Sequence, residues 1–263
     1  MPPVRLALHC ATGALLGLTI HAVLVRPPPV GYAAAAMLGY TALVLAGVLV
    51  LPLRVYADAI VRGPRGARGV ALTFDDGPHP RWTRVVLAVL AERGARATFF
   101  LVARKAEQHP DVVREILERG HAVEVHSYAH DRLFALRGER RVRDDLERAV
   151  SALERLTGRR PGLFRPPVGH TNPVIARVAG DLDLTIVGWS ARGFDGLSGA
   201  RSERVVARVR RGLRPGAIVL LHDSPENGDS EPPGVRALPA VLDDIAARGL
   251  EVVPLSAWID APD

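Results

Sequence analysis

Along the 263-residue chain the apolar positions follow two different patterns. Up to Ala57 they run almost unbroken, and the only charged side chains are Arg5, Arg26 and Arg54. Two stretches, residues 6–25 and 30–53, each reach the roughly 20 residues that a helix needs to cross a hydrocarbon core. Arg26-Pro27-Pro28-Pro29 separates them, and consecutive prolines cannot continue a helix. The pattern predicts a transmembrane hairpin over residues 1–57. A buried hairpin and, for the first stretch, a cleaved signal peptide are the competing readings. The first apolar run is long for a signal, and a second follows immediately.

After a linker at residues 58–69, short apolar runs alternate with amphipathic ones to the end of the chain at residue 263. Strands are predicted at 70–74, 98–102, 122–126, 163–165, 184–189, 217–222 and 251–255. Helices are predicted at 81–93, 110–119, 139–156, 173–179, 202–213 and 235–248, several of them closed by glycine. Repeated strand–helix alternation predicts a parallel sheet, open or closed into a barrel, with its chemistry on the loops after the strands. The segment 225–233 is the most loop-like of these.

Composition changes little in this picture. The net charge is +6, and 34 basic residues include a single lysine, Lys105. Acidic residues are interspersed, and no basic stripe carries interleaved aromatics, so a nucleic-acid partner is not expected. Cys10 is the only cysteine, which excludes an internal disulfide or a thiolate metal cluster. Arg5, Arg54, Arg62, Arg65 and Arg68 flank the two ends of the hairpin, against Arg26 alone in its turn. That count favours a cytoplasmic catalytic domain, although large domains can cross regardless of flanking charge.

Three chemical features follow predicted strands. Asp75-Asp76 precedes a Gly77-Pro78 turn, a sequence that is also common in surface turns. His126 and His130 stand at i and i+4, which on a helical turn would share one face and could share a metal. His222-Asp223 ends an apolar run, where a histidine is poised near neutral pH. Two histidines and one carboxylate make a three-ligand site, leaving a second carboxylate as base and His222 as acid. That inventory suits metal-assisted amide hydrolysis.

With these motifs in view, the region from about residue 70 to 255 resembles the polysaccharide deacetylase family, the NodB-homology or carbohydrate esterase family 4 enzymes. The resemblance rests on Thr73-Phe74-Asp75-Asp76-Gly77-Pro78, His126-Ser127-Tyr128-Ala129-His130 and Arg165-Pro166-Pro167-Val168-Gly169. Trp189-Ser190 with Asp195 downstream, then Leu220-Leu221-His222-Asp223, complete the order. It implies an α/β fold, a distorted (β/α) barrel behind the N-terminal two-helix hairpin, with residues 70–263 as the catalytic domain. It also implies a divalent metal ion, zinc or alternatively cobalt or another ion, held by Asp76, His126 and His130. Asp75 would be the base, with Arg165 holding its carboxylate. His222 would protonate the leaving amine, oriented and kept charged by Asp195. The Val168 N–H would bind the oxyanion, and Leu220 would line the acetyl pocket.

Three positions depart from the family pattern. Val168 stands where tyrosine is frequent, Val125 where asparagine often precedes the first histidine, and Gly196 where tryptophan often follows the acid. None is a proposed ligand, acid or base. The expected activity is removal of acetyl groups from N-acetylated sugars of peptidoglycan or another surface polysaccharide. The expected setting is a multi-pass cell-membrane protein with its catalytic domain outside the cytoplasm, against the arginine count. A lipid-linked sugar substrate, and a catalytically dead membrane-tethered glycan-binding domain, are the alternatives. His79 and His170 are further candidates to approach the cleft, whereas His109 and His121 read as loop or helix-end residues. His9 and His21 are unusual within the first span.

Overall fold

A computed structural model describes residues 1–259 apart from Ser198, Glu226 and Asn227. Helices α1 (Pro3–Leu24) and α2 (Val30–Leu49) form the hairpin, parted by the prolines as the sequence requires. The second apolar stretch stops being α-helical earlier than expected. A 3-10 turn at Leu51–Leu53 follows, with Pro52 in its first turn. Both helices are long and apolar enough to cross a membrane and almost none of their surface is buried. Side chains such as Leu16, Leu24, Met37 and Leu45 are exposed around the pair.

The rest is a curled half-barrel of seven parallel strands flanked by helices. In chain order these are β1 (Val70–Asp75), α3 (Trp82–Glu92), β2 (Thr98–Leu101), α4 (Ala103–Gln108), α5 (Pro110–Glu118) and β3 (Ala122–Val125). Then come α6 (Glu139–Thr157), β4 (Leu163–Phe164), α7 (Pro173–Asp181), β5 (Thr185–Ile186) and β6 (Ala191–Arg192). The last elements are α8 (Ser202–Gly212), β7 (Ala217–His222) and α9 (Pro233–Ala247). The sheet order is β5-β4-β3-β2-β1-β7-β6, so β1 lies near the centre and is buried on both faces. Its mostly apolar run, interrupted only by Thr73 before Asp75, is what a doubly covered parallel strand demands. Helix α6 instead buries one stripe, Val142, Leu146, Ala149, Val150 and Leu153, at helical spacing.

Several expectations are corrected locally. The strand expected at 251–255 reduces to one bridge, Val252 with Val70, before a 3-10 turn at Leu255–Trp258. Pro254 has no N–H to extend a ladder. His126–His130 is no helical turn, since Ser127 and His130 take left-handed φ values of 67° and 54°. Helix α4 and strand β6 were not foreseen. Residues 58–69, expected as a linker, make contacts of their own with the sheet. Ile60 bridges Val187 beside β5, and Arg62 bridges Ala217 at the start of β7. In the loop-like segment 225–233, Glu226 and Asn227 lie outside the described residues, as do residues 260–263.

Candidate active site

Strand register builds the site. Asp75, the last residue of β1, is level with His222 at the end of β7. His126 follows β3 and Arg165 follows β4, so four strand ends deliver four of the candidate side chains to one rim. The C-terminal face of parallel strands is where such folds collect their chemistry. The rim encloses a cleft of about 160 Å³. Asp75, Asp76, His126, His130, Val168, Asp195, Leu220 and His222 all line it. Of the residues singled out from sequence, Arg165 alone lies beneath the cleft, fully buried.

Arg165 is held from every side. Its Nη1 donates to Asp75 Oδ1 at 2.6 Å and to Thr73 Oγ1 at 2.9 Å. Nη2 donates to the Gly188 carbonyl at 3.0 Å, and the guanidinium lies 4.1 Å from the Phe100 ring centre. A buried charge with this many partners fixes the Asp75 carboxylate in one orientation.

On the other side of Asp75, three donor atoms converge. Asp76 Oδ1 lies 3.2 Å from His126 Nε2 and 3.1 Å from His130 Nε2. His126 Nδ1 sits 2.7 Å from the Arg165 carbonyl. That contact requires the proton on Nδ1 and leaves the Nε2 lone pair facing the cleft. Burial opposes charge on Asp76, but the close approach of His126 and the other histidines around it outweigh burial and hold the carboxyl well below its usual range. Burial, reinforced by His126, pushes His130 down to about 4. Asp76 Oδ1 is buried and accepts no hydrogen bond of good geometry.

Opposite stands His222. Its backbone N–H donates to Asp195 Oδ2 at 2.7 Å, and its ring Nδ1 lies 3.1 Å from Asp195 Oδ1. The ring contact is an ion pair whose direction is off the line of a good hydrogen bond. Burial disfavours the charged ring, yet Asp195, with Asp76 and Asp75 behind it, pushes His222 up to about 10. Gly234, in the first turn of α9, lets Asp195 come this close, since a Cβ there would lie 2.1 Å from Asp195 Oδ2. Gly196 lines the cleft beside the His222 ring.

The turn Pro167–Gly169 places Val168 at φ 52°, a left-handed conformation that β-branched residues rarely adopt. Asp76, His130 and Phe194 around the same cleft also have positive φ. Strained backbone gathered at one cavity is a mark of function.

Sequence reasoning missed a network behind Asp76 and the two histidines. Lys105 Nζ donates to the Asp76 carbonyl and to Ser224 Oγ, each at 2.9 Å. Thr83 Oγ1 donates at 2.5 Å to Asp223, whose carboxyl burial pushes up to about 7. Lys105 being the chain's only lysine was the available signal. Arg132, Arg192 and Phe194 also line the cleft without having been singled out. His79 does not line it: its Nδ1 accepts from the Trp82 N–H at the start of α3. His170 lies just outside, and His109 and His121 sit at helix ends as read.

A family model described as polysaccharide deacetylase matches residues 62–187. A peptidoglycan-N-acetylglucosamine deacetylase of Bacillus cereus is 32% identical over 73% of this chain and 69% of its own length. The chain belongs to the polysaccharide deacetylase family. A chitooligosaccharide deacetylase of Azorhizobium caulinodans is 34% identical over 71% of the chain and 92% of its own length. Among solved structures, a peptidoglycan N-acetylglucosamine deacetylase bound to an N-oxidanyl-benzamide superposes with a TM-score of 0.69 at 30% identity. That likeness covers 75% of this chain and 91% of the other. Like these relatives, the chain is a carbohydrate deacetylase in fold and family, with the curled half-barrel that membership implies.

Proposed function

We propose that this chain is a divalent-metal-dependent hydrolase that removes acetyl groups from N-acetylated sugars of a surface glycan such as peptidoglycan. We further propose that the hairpin embeds it in the cell membrane with the catalytic domain outside. The convergence of Asp76, His126 and His130 beside Asp75, with His222 across the same cleft, carries the reading.

The donor set fits a metal. Three ligand atoms lie within 4.8 Å of one another, one of them a buried carboxylate oxygen without a hydrogen-bond donor. His126 presents the lone pair that a ligand needs. Two nitrogens and one oxygen suit zinc or a similar ion, with positions left open for water and substrate. Held there, a divalent ion supplies Lewis-acid polarisation of the acetamide carbonyl and acidifies water.

The chain's own residues do the rest. Asp75, oriented by Arg165, accepts the proton of the attacking water. The Val168 N–H donates to the oxygen that becomes negative as the carbonyl carbon turns tetrahedral. His222, kept protonated by Asp195, donates to the departing nitrogen, and acetate and a free amine leave. Leu220, with Trp189 beside it, gives the acetyl methyl an apolar wall. Membrane embedding is supported by apolar side chains exposed all around both helices, which lack the polar face of a surface helix.

Acetate release from N-acetylglucosamine oligomers and peptidoglycan, measured with metal content before and after chelation, tests the activity. A metal-free protein that binds glycan but releases no acetate would instead favour a binding domain. A reporter at the C-terminus that is active only outside the cytoplasm checks the orientation.

A further inference from the structure

The hairpin is not a loose tether; its foot is seated on the barrel beside the cleft. The Thr171 N–H donates to the Val48 carbonyl of α2 at 3.0 Å. Leu51, just past α2, is buried against Gly188, where a Cβ would stand 3.3 Å from Leu51 Cδ2. Gly188 is the residue whose carbonyl holds Arg165. Arg5 fastens α1 to the same corner, donating to the Arg54 and Val55 carbonyls and pairing with Asp58 at 2.8 Å. Thr171 is three residues from Val168, a span of about 11 Å at full extension. The mouth of the cleft therefore lies at the end of the membrane span.

Two features of that mouth point to what enters it. Asn172 Nδ2 donates at 2.7 Å to the Ala135 carbonyl, which ties the 131–137 loop to the hairpin side of the cleft. On this loop Leu133 and Leu136 are 53% and 76% exposed. Inside the cleft, the Arg192 guanidinium lies 3.8 Å from the Phe194 ring centre and 5.2 Å from that of Trp189. Among the described residues no carboxylate is within ion-pair distance of it. An arginine stacked on aromatics without a counter-ion is a ready partner for a substrate anion.

We propose that the substrate is an N-acetylated sugar joined through phosphate to a membrane lipid. The phosphate pairs with Arg192, and the lipid leaves over Leu133 and Leu136 into the bilayer. This rests on the deacetylase and membrane readings above, and it assigns a lipid-linked sugar as the substrate class in place of the finished surface glycan. A sugar held at the interface by its own lipid reaches a cleft that the hairpin keeps there, whereas mature polymer lies farther from the bilayer.

The test uses the full chain in lipid nanodiscs with three substrates at equal sugar concentration. These are a polyisoprenyl-diphosphate N-acetylglucosamine in the same discs, neutral N-acetylglucosamine oligomers, and carboxylate-bearing peptidoglycan fragments. The expected result is a kcat/KM at least about tenfold higher on the lipid-linked sugar. Arg192→Ala should cut that preference about tenfold, and Arg192→Lys should restore part of it. Equal or better turnover of either other substrate overturns the inference and leaves the deacetylase reading standing. Acetate from none of the three overturns that reading as well. A preference unchanged by Arg192→Ala overturns the phosphate contact. Seating at the bilayer is read separately, from a fluorophore on Leu136→Cys in a Cys10→Ser background. Spin-labelled lipid should quench it, and an unquenched label overturns the placement.

Discussion

Two carboxylate–histidine contacts of equal length face each other across the cleft. Asp76 Oδ1 lies 3.1 Å from His130 Nε2, and Asp195 Oδ1 lies 3.1 Å from His222 Nδ1. Their histidines nevertheless move in opposite directions, to about 4 for His130 and about 10 for His222. Burial opposes the charged ring in both. His130 shares its carboxylate with His126 and has Lys105 nearby, and these reinforce burial against the pull of Asp76 and Asp75. His222 has Asp195 gripping both its ring and its backbone, with Asp75 and Asp76 facing it, and the acids outweigh burial. A ring that stays neutral keeps a lone pair for a metal, and one that stays charged keeps a proton to donate. The same two residue types are suited, one to the proposed ligand role and the other to the proposed acid role, because their neighbours differ.

Asp75 stands between the two sides, so its removal is expected to have the largest effect. Asp75→Asn should lower kcat about 10³-fold, within the range of a lost general base, while metal content stays stoichiometric. Substantial activity in this variant, measured as acetate release, would remove Asp75 from the base role. The next pair of changes separates the sides. His130→Ala should empty the site, weakening metal binding by more than the roughly 10–100-fold that loss of a ligand's hydrogen-bond partner costs. His222→Ala should retain metal and lose about 10²-fold in kcat. Metal analysis of both purified variants decides it; loss of metal from His222→Ala would merge the two sides into one.

How much of this contrast the sequence could reveal depends on the range of the interaction. β1, β7 and α6 were legible because their apolar period or run is local, and β7 was placed at its observed limits. Of the two-residue strands, β5 was expected over the longer run 184–189 and β6 was missed, since their pairing is set by neighbours rather than by pattern. Asp75, Asp76, His126 and His222 stand at or next to strand ends, where an alternating chain delivers its chemistry, and so could be singled out, with His130 following from its spacing to His126. The non-helical path from His126 to His130 could not, because two left-handed residues produce the convergence. Lys105 reaching Asp76, and Leu51 seating on Gly188, join residues far apart in sequence. Such contacts leave no periodic trace.

A smaller change sharpens the acid side. Asp195→Asn removes the largest charge that raises His222 and leaves burial to lower it. Because the step needs protonated His222, the alkaline limb of kcat/KM should move to lower pH by more than one unit. The loss in rate should be about 10–100-fold at pH 9 and less at pH 6, where the ring is still charged. An unmoved alkaline limb would show that His222 does not set it.

The smallest expected effect concerns the backbone beside both sides. Val168 holds φ 52°, and a β-branched residue in that region carries about 1–3 kcal/mol of strain. Val168→Gly removes the strain but frees the unfolded chain, which costs roughly 0.5–1 kcal/mol. The side chain is 39% exposed, so little burial is lost. The net is a gain of about 1 kcal/mol, or roughly 2–4 °C in Tm by calorimetry for a domain of this size. The N–H survives the substitution, but the turn is less firmly held, so kcat should fall only a few-fold. A fall in Tm would mean that contacts of the valine side chain, rather than the surrounding barrel, impose the turn. A large fall in kcat with Tm raised would show that the strain itself aims the donor at the developing charge.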